Sequence, residues 1–171
     1  TVAVGDSVLF NITTGASNNT AVGTKALYTN SSGRTNTAIG ARALYDNTTG
    51  NNNVAIGDSA AYNSNVSFIT AVGSKALFSN TSGGQNVALG NLALYSNTTG
   101  SNNSGLGYRS LYSNNTGVGN TAIGSLALNS NTTGFLNTAI GQGALDLNTT
   151  GNENTAIGNQ AMQANTVGVN N

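Results

Sequence analysis

The 171-residue sequence contains no cysteine, histidine, proline or tryptophan. The absence of cysteine and histidine excludes disulfide bonds, thiolate chemistry, the usual zinc sites and histidine-based acid–base catalysis. Charged residues make up only 6% of the chain, and five basic side chains balance five acidic ones. Such a chain has no electrostatic footprint for nucleic acid or anionic lipid, and no apolar run approaches the roughly 18 residues that span a bilayer. We therefore expect neither nucleic-acid binding nor membrane insertion.

The few acidic residues also argue against an enzyme. Catalysis by paired carboxylates needs two acids at one site, and the five acids fall in different repeats or at different repeat positions. The glycine-rich turns lack the Lys-Ser/Thr that a phosphate-binding loop requires. Calcium-binding roll repeats need regularly placed aspartates, which are missing. We expect no enzymatic activity, no bound metal and no cofactor.

What the sequence does have is a repeat of about 17 residues. The pattern Asn-Thr-Ala-Ile-Gly at residues 36–40 recurs along the whole chain, and its small-aliphatic-Gly core begins near residues 3, 21, 38, 55, 71, 88, 105, 122, 139 and 156. We number repeat positions from this first residue and name the repeats coil 1 to coil 10. A fixed short period is typical of a solenoid, so residues 1–171 are predicted to form a single repeat array.

Two segments of each repeat have strand character. Runs such as Thr-Ala-Ile and Ala-Leu-Tyr alternate in type and are bounded by glycine and asparagine-rich turns. We predict an all-β parallel solenoid, a β-roll with two short strands per coil and like residues stacked about 4.8 Å apart. Strand alternation places Thr37 and Ile39 on one face and Ala38 on the other. The small, flat column of Ala38 and Gly40 is the predicted contact between chains, and the large aliphatic residues are the predicted core: Ile39, Leu44, Ile56, Leu77, Leu94, Ile123, Leu128, Ile140 and Leu145.

The repeated Asn-Thr-Ala-Ile-Gly-x-x-Ala-Leu pattern resembles the head repeats of trimeric autotransporter adhesins. Its Asn-Thr-Thr-Gly turns, as at residues 47–50, resemble those of β-roll repeats in fibre proteins of phages and bacteria. The resemblance covers all ten repeats. It implies a left-handed parallel β-roll, usually a homotrimer, that serves as an extracellular stalk or adhesive head on a cell or virion surface. The period is longer than that of the adhesin head, which implies longer turns.

The two ends of the array would continue the repeat if they were joined. This continuity predicts either a segment of a longer array or a subunit that stacks end to end into a filament, because open solenoid ends expose unpaired strand edges.

Three columns of residues have functional interpretations. Asn-x-Thr/Ser acceptor sequences recur at position 10 and predict possible N-glycosylation, although good turn chemistry explains them more fully: Asn30, Asn47, Asn80, Asn97, Asn114, Asn131 and Asn148. Aromatic residues at position 8 predict a packed ladder or a platform for sugars: Tyr28, Tyr45, Tyr62, Phe78, Tyr95 and Tyr112. Threonines before the triplet predict either ordinary strand residues or an ice-binding hydroxyl ladder.

The sequence therefore favours an extracellular structural fibre or adhesin shaft, whose partner is another copy of itself. A glycan-binding head that uses the aromatic column is the alternative, and an ice-binding solenoid is a third.

Overall fold

The computed structural model describes residues 1–13 and 15–171. Within them the chain forms a parallel β-solenoid with no helix and one three-residue strand per coil. The strands form a single sheet in sequence order, which confirms the predicted fold class. They are β1 (Val2–Val4), β2 (Thr20–Val22), β3 (Thr37–Ile39), β4 (Val54–Ile56), β5 (Thr70–Val72), β6 (Val87–Leu89), β7 (Ser104–Leu106), β8 (Thr121–Ile123), β9 (Thr138–Ile140) and β10 (Thr155–Ile157).

The register of the sheet stacks equivalent residues directly above one another. Ala38 of β3 pairs with Ala21 of β2 on one side and with Ala55 of β4 on the other. Identical repeat positions therefore form continuous columns along the solenoid axis, and every side-chain column can be analysed as a ladder.

The prediction of a second strand in each coil is wrong. The Ala-Leu-Tyr segment is a run of tight turns in which the residue at position 7 has a positive φ, for example 48° at Leu27 and 51° at Leu44. Its amides still bond to adjacent coils, since Leu27 N donates to Ala43 O at 3.0 Å. A left-handed conformation costs about 1–2 kcal/mol for a residue with a Cβ, whereas full burial of a leucine side chain stabilises by about 1.5–3 kcal/mol. Burial of the leucine therefore offsets the unfavourable backbone.

The interior of the solenoid is narrow and contains small residues, leucines and asparagines. The strand alternation is as predicted, because Thr37 and Ile39 share one face and Ala38 lies on the other. The inward face, however, is the alanine face. Ala38 is fully buried, so its column does not form a surface for contact between chains.

The predicted core is therefore only partly correct. The leucines of position 7 are fully buried: Leu44, Leu77, Leu94, Leu128 and Leu145. The aliphatic residues of position 2 were placed inside by prediction, but Ile39, Ile56 and Ile123 are exposed and Ile140 is half-buried. The interior at the strand accommodates only alanine or glycine, because leucine and two asparagine columns fill the rest of the coil.

The glycine at position 3 allows the backbones of successive coils to stack closely. A Cβ added at Gly57, where φ is 133°, would lie 2.6 Å from the carbonyl carbon of Gly73. No larger residue fits there without displacing the next coil.

Candidate functional site

The aromatic residues at position 8 form one continuous stack along the solenoid. From Phe10 to Tyr112, the centroids of successive rings lie between 4.9 and 5.4 Å apart and their planes differ by 1° to 20°. From Tyr28 onwards the rings are half-buried. The stack ends at Tyr112, because coils 8, 9 and 10 carry Asn129, Asp146 and Gln163 at this position.

This geometry limits how the aromatic column can contact a ligand. Each ring between the two ends has a neighbouring ring on either side, so its faces are largely covered and its edge is what solvent reaches. A sugar normally packs its C–H face against the exposed face of an aromatic ring. The stack therefore fits a packing ladder between coils better than it fits a sugar platform.

Charged groups flank the aromatic stack at two places. The Lys25 ammonium lies 5.9 Å from the centroid of Tyr28, and the Arg109 guanidinium lies 4.2 Å from that of Tyr112. Both are cation–π distances. In the middle of the stack, burial raises the pKa of Asp46. Burial and the nearby Asp46 carboxylate raise the pKa of the Tyr62 hydroxyl.

The asparagines of the predicted glycosylation sites form a hydrogen-bonded column inside the solenoid. Asn114 is typical, because its Nδ2 donates to Asn97 Oδ1 at 3.0 Å and to Gly117 O at 3.1 Å. Nδ2 is also the atom that would carry a glycan. All of the predicted acceptors are fully buried, so this fold does not accommodate glycans on them: Asn30, Asn47, Asn80, Asn97, Asn114, Asn131 and Asn148.

A second internal asparagine column at position 16 was not anticipated from the sequence. Asn120 shows the arrangement, because its backbone N and its Nδ2 both donate to Asn103 Oδ1, at 2.9 and 3.1 Å. Its Nδ2 also donates to Gly134 O at 2.8 Å. The signal was present as an asparagine before almost every Thr-Ala-Ile, but it was hidden in an asparagine-rich sequence.

Both asparagine columns are interrupted in coil 4. Ser64 stands at position 10, and Ile69 takes the place of the position-16 asparagine because coil 4 is one residue shorter. Asn80 Nδ2 reaches the Ser64 hydroxyl at 3.1 Å, whereas the buried Asn47 Oδ1 has no hydrogen-bond partner among the described residues.

The outer face of the sheet carries two parallel columns. Aliphatic residues occupy position 2, and threonine or valine occupies the position that precedes the triplet, as at Thr37 and Val54. The aliphatic side chains are partly exposed, at 38% for Ile39, 36% for Ile56 and 39% for Ile123. The result is an apolar stripe along the length of the sheet.

The described residues contain no group of three or more acidic, histidine or cysteine side chains placed to hold a metal ion. They also include no helix with the length and hydropathy of a membrane span. Comparison of the chain with protein-family models, curated proteins and solved structures found no match.

Proposed function

We propose that this chain is a non-enzymatic structural shaft, of the fibre or adhesin kind, on the outside of a cell or virion. In this proposal several copies associate side by side, as a homotrimer, through the apolar stripe. The observation that carries it is the outward column of isoleucine, valine and leucine on a solenoid that has few charges elsewhere.

The stripe supports association for a physical reason. Contiguous exposed apolar surface is uncommon on a monomer, and here it repeats in every coil with the same register. Burying it against identical stripes would remove the exposed third of Ile39, Ile56 and Ile123 from water, which stabilises by about 0.5–1 kcal/mol per side chain and adds up along the rod. Closed symmetry would give every copy the same contacts.

Sedimentation in the analytical ultracentrifuge tests this association. The wild-type chain is expected at three times its 17.0 kDa monomer mass. Ile123→Lys places a charge in the stripe and should give monomers with an unchanged circular dichroism spectrum. Thr133→Lys is the matched control, because Thr133 lies in the same coil on an exposed turn. A wild-type chain that sediments as a monomer at all concentrations would contradict the proposal.

Ice binding is the second candidate, because the threonine column lies on the outer face beside the aliphatic column. Regularly spaced hydroxyl and methyl groups on one sheet are the requirement for that function. The column is interrupted by Val54, Val87 and Ser104, which is why we rank it below association. Thermal hysteresis that disappears in Thr121→Lys would reverse the ranking.

A further inference from the structure

An open, mostly polar depression of about 550 Å³ lies on the turn side of coils 2 to 4. Its walls include Arg34, Thr49, Asn51, Asn52, Ser67 and Phe68. Its size is within the range of small-molecule sites, which is roughly 300–1,000 Å³. We refer to it below as the notch.

The notch lies where the array departs from its period. The step from Ala55 to Ala71 is 16 residues, because coil 4 lacks one residue of the turn. In coil 2 the amides of Ser31 and Ser32 donate to the carbonyl of Thr48, both at 3.0 Å. The equivalent amides of coil 3, Thr48 N and Thr49 N, donate instead to the side chain of Asn65 in coil 4. Both bonds to Asn65 Oδ1 are 2.9 Å long. In the shortened turn, the Asn65 side chain therefore replaces the backbone carbonyl as the hydrogen-bond acceptor.

Phe68 occupies a repeat position that has a positive φ. Its φ is 64° and its side chain is 62% exposed. The same position in neighbouring coils carries Asn52 and Gln85, also with positive φ. Thr35 and Leu136 have a positive φ at this position too, so the conformation belongs to the repeat. What distinguishes Phe68 at this position is an exposed aromatic ring on the wall of the notch.

The polar side chains of the notch are held in place by hydrogen bonds. Arg34 Nε donates to Gly15 O at 2.7 Å, which orients the guanidinium. Arg34 N donates to Asn51 Oδ1 at 2.8 Å, and Asn51 N donates to Ser67 Oγ at 2.9 Å. One cation, several amide and hydroxyl groups and an exposed aromatic ring therefore line the same notch. Unlike the rings of the aromatic stack, the Phe68 ring is paired with no other ring among the described residues.

We propose that the notch binds a sugar that carries a carboxylate. The Arg34 guanidinium pairs with the carboxylate, for which its planar fork is suited. The Phe68 ring packs against the C–H face of the sugar, and Asn51, Asn52 and Thr49 bond its hydroxyl groups. The site is independent of the shaft function, since all of these residues belong to one chain.

Calorimetric titration of the full chain tests the site with four probes: a galacturonic acid disaccharide, the methyl glycoside of N-acetylneuraminic acid, and the methyl ester of each. Binding of either acid, with at least about tenfold weaker binding of its ester, is expected. Which acid binds more tightly distinguishes uronic from sialic acids. No binding of either acid, or equal binding of acid and ester, would overturn the proposal.

The variants assign the binding to the notch. Phe68→Asn restores the residue that the neighbouring coil carries, so it should fold at least as well and lower affinity by about tenfold or more. Arg34→Gln should have a similar effect. The matched control is Leu136→Asn, because Leu136 has the same repeat position, a φ of 55° and 57% exposure; it should change affinity by less than about twofold. Unchanged binding by Phe68→Asn would place the sugar elsewhere.

Repeating the titration with Ile123→Lys tests whether sugar binding depends on the association of chains that the shaft proposal requires. Ile123 lies in coil 8, away from the notch. Binding by this variant is expected whatever its oligomeric state, and loss of binding on dissociation would contradict a site within one chain.

Discussion

Coil 4 and coils 8 and 9 contact their neighbouring coils through different side chains. Coil 4 interrupts both internal asparagine columns, yet Tyr62 continues the aromatic stack on its outside. Coils 8 and 9 have no aromatic residue at position 8, yet both asparagine columns are unbroken from coil 7 to coil 9. Each contact between successive coils is thus supported by an amide ladder, an aromatic ladder, or both. The stability of the contact between coils therefore depends on different side chains in different parts of the solenoid, although the backbone is the same.

The largest effect is expected from breaking an amide ladder where it is continuous. Asn114→Leu keeps the approximate volume, but Asn97 Oδ1 loses its partner, and Gly117 O and Asn131 Nδ2 each lose one of two. An unsatisfied buried group costs about 1–3 kcal/mol and each other lost bond about 0.5–1.5 kcal/mol, so a loss of about 3 kcal/mol is expected. Urea denaturation followed by circular dichroism measures it.

The matched change in coil 4 is Ser64→Ala. It removes only the bond from Asn80 Nδ2, which still donates to Gly83 O at 2.9 Å. A loss of about 1 kcal/mol or less is expected. Equal losses in Asn114→Leu and Ser64→Ala would show that the two regions do not differ as described.

The second effect comes from breaking the aromatic stack. Tyr62→Ala removes stacking on both Tyr45 and Phe78, at 4.9 and 5.2 Å. Each aromatic pair contributes about 0.5–1.5 kcal/mol beyond its buried area, so a loss of about 2 kcal/mol is expected in the same assay. Asn129→Ala is the control at the same repeat position beyond the stack. Its buried Oδ1 has no partner among the described residues, so a change within about 0.5 kcal/mol is expected.

A smaller, stabilising effect is expected from repairing the interruption. Ser64→Asn would offer a donor to Asn47 Oδ1, which lacks one among the described residues, and an acceptor to Asn80 Nδ2. A gain of about 1 kcal/mol in unfolding free energy is expected. Destabilisation instead would mean that the shortened coil cannot hold the larger side chain.

The smallest effect is a pH dependence confined to the aromatic part. Burial raises the pKa of Asp46, so the folded chain holds this proton more tightly than the unfolded chain. Its stabilising contribution is complete below the unfolded pKa and is lost as the pH rises through the folded pKa. Asp46→Asn should remove this loss, giving a flatter stability curve as the pH rises above the ordinary pKa of an aspartate. Asp146→Asn, at position 8 of coil 9, is the comparison. If it flattened the stability curve equally, burial of Asp46 would not be the cause.

The sequence alone predicted the period, the ten coils and the burial of the leucines at position 7. Glycine at fixed spacing, together with leucine at position 7, admits few other folds for a 17-residue repeat. It also predicted a column of aromatic residues, because equivalent residues of a solenoid stack, but it left open whether that column is a packed ladder or a platform for sugars. The sequence also contained a position-16 asparagine column and a one-residue deletion in coil 4, but neither revealed its role.

Tertiary structure decided which face of the strand is inward. A period of two is symmetric between the two faces of a strand, so Thr-Ala-Ile permits either arrangement, and hydrophobicity alone favours isoleucine inside. The choice depends on the space left after Leu44 and the asparagines of the same coil have been packed, which only the closed coil determines. The same closure buries Asn47 and Asn114, which the sequence presents as acceptors on exposed turns.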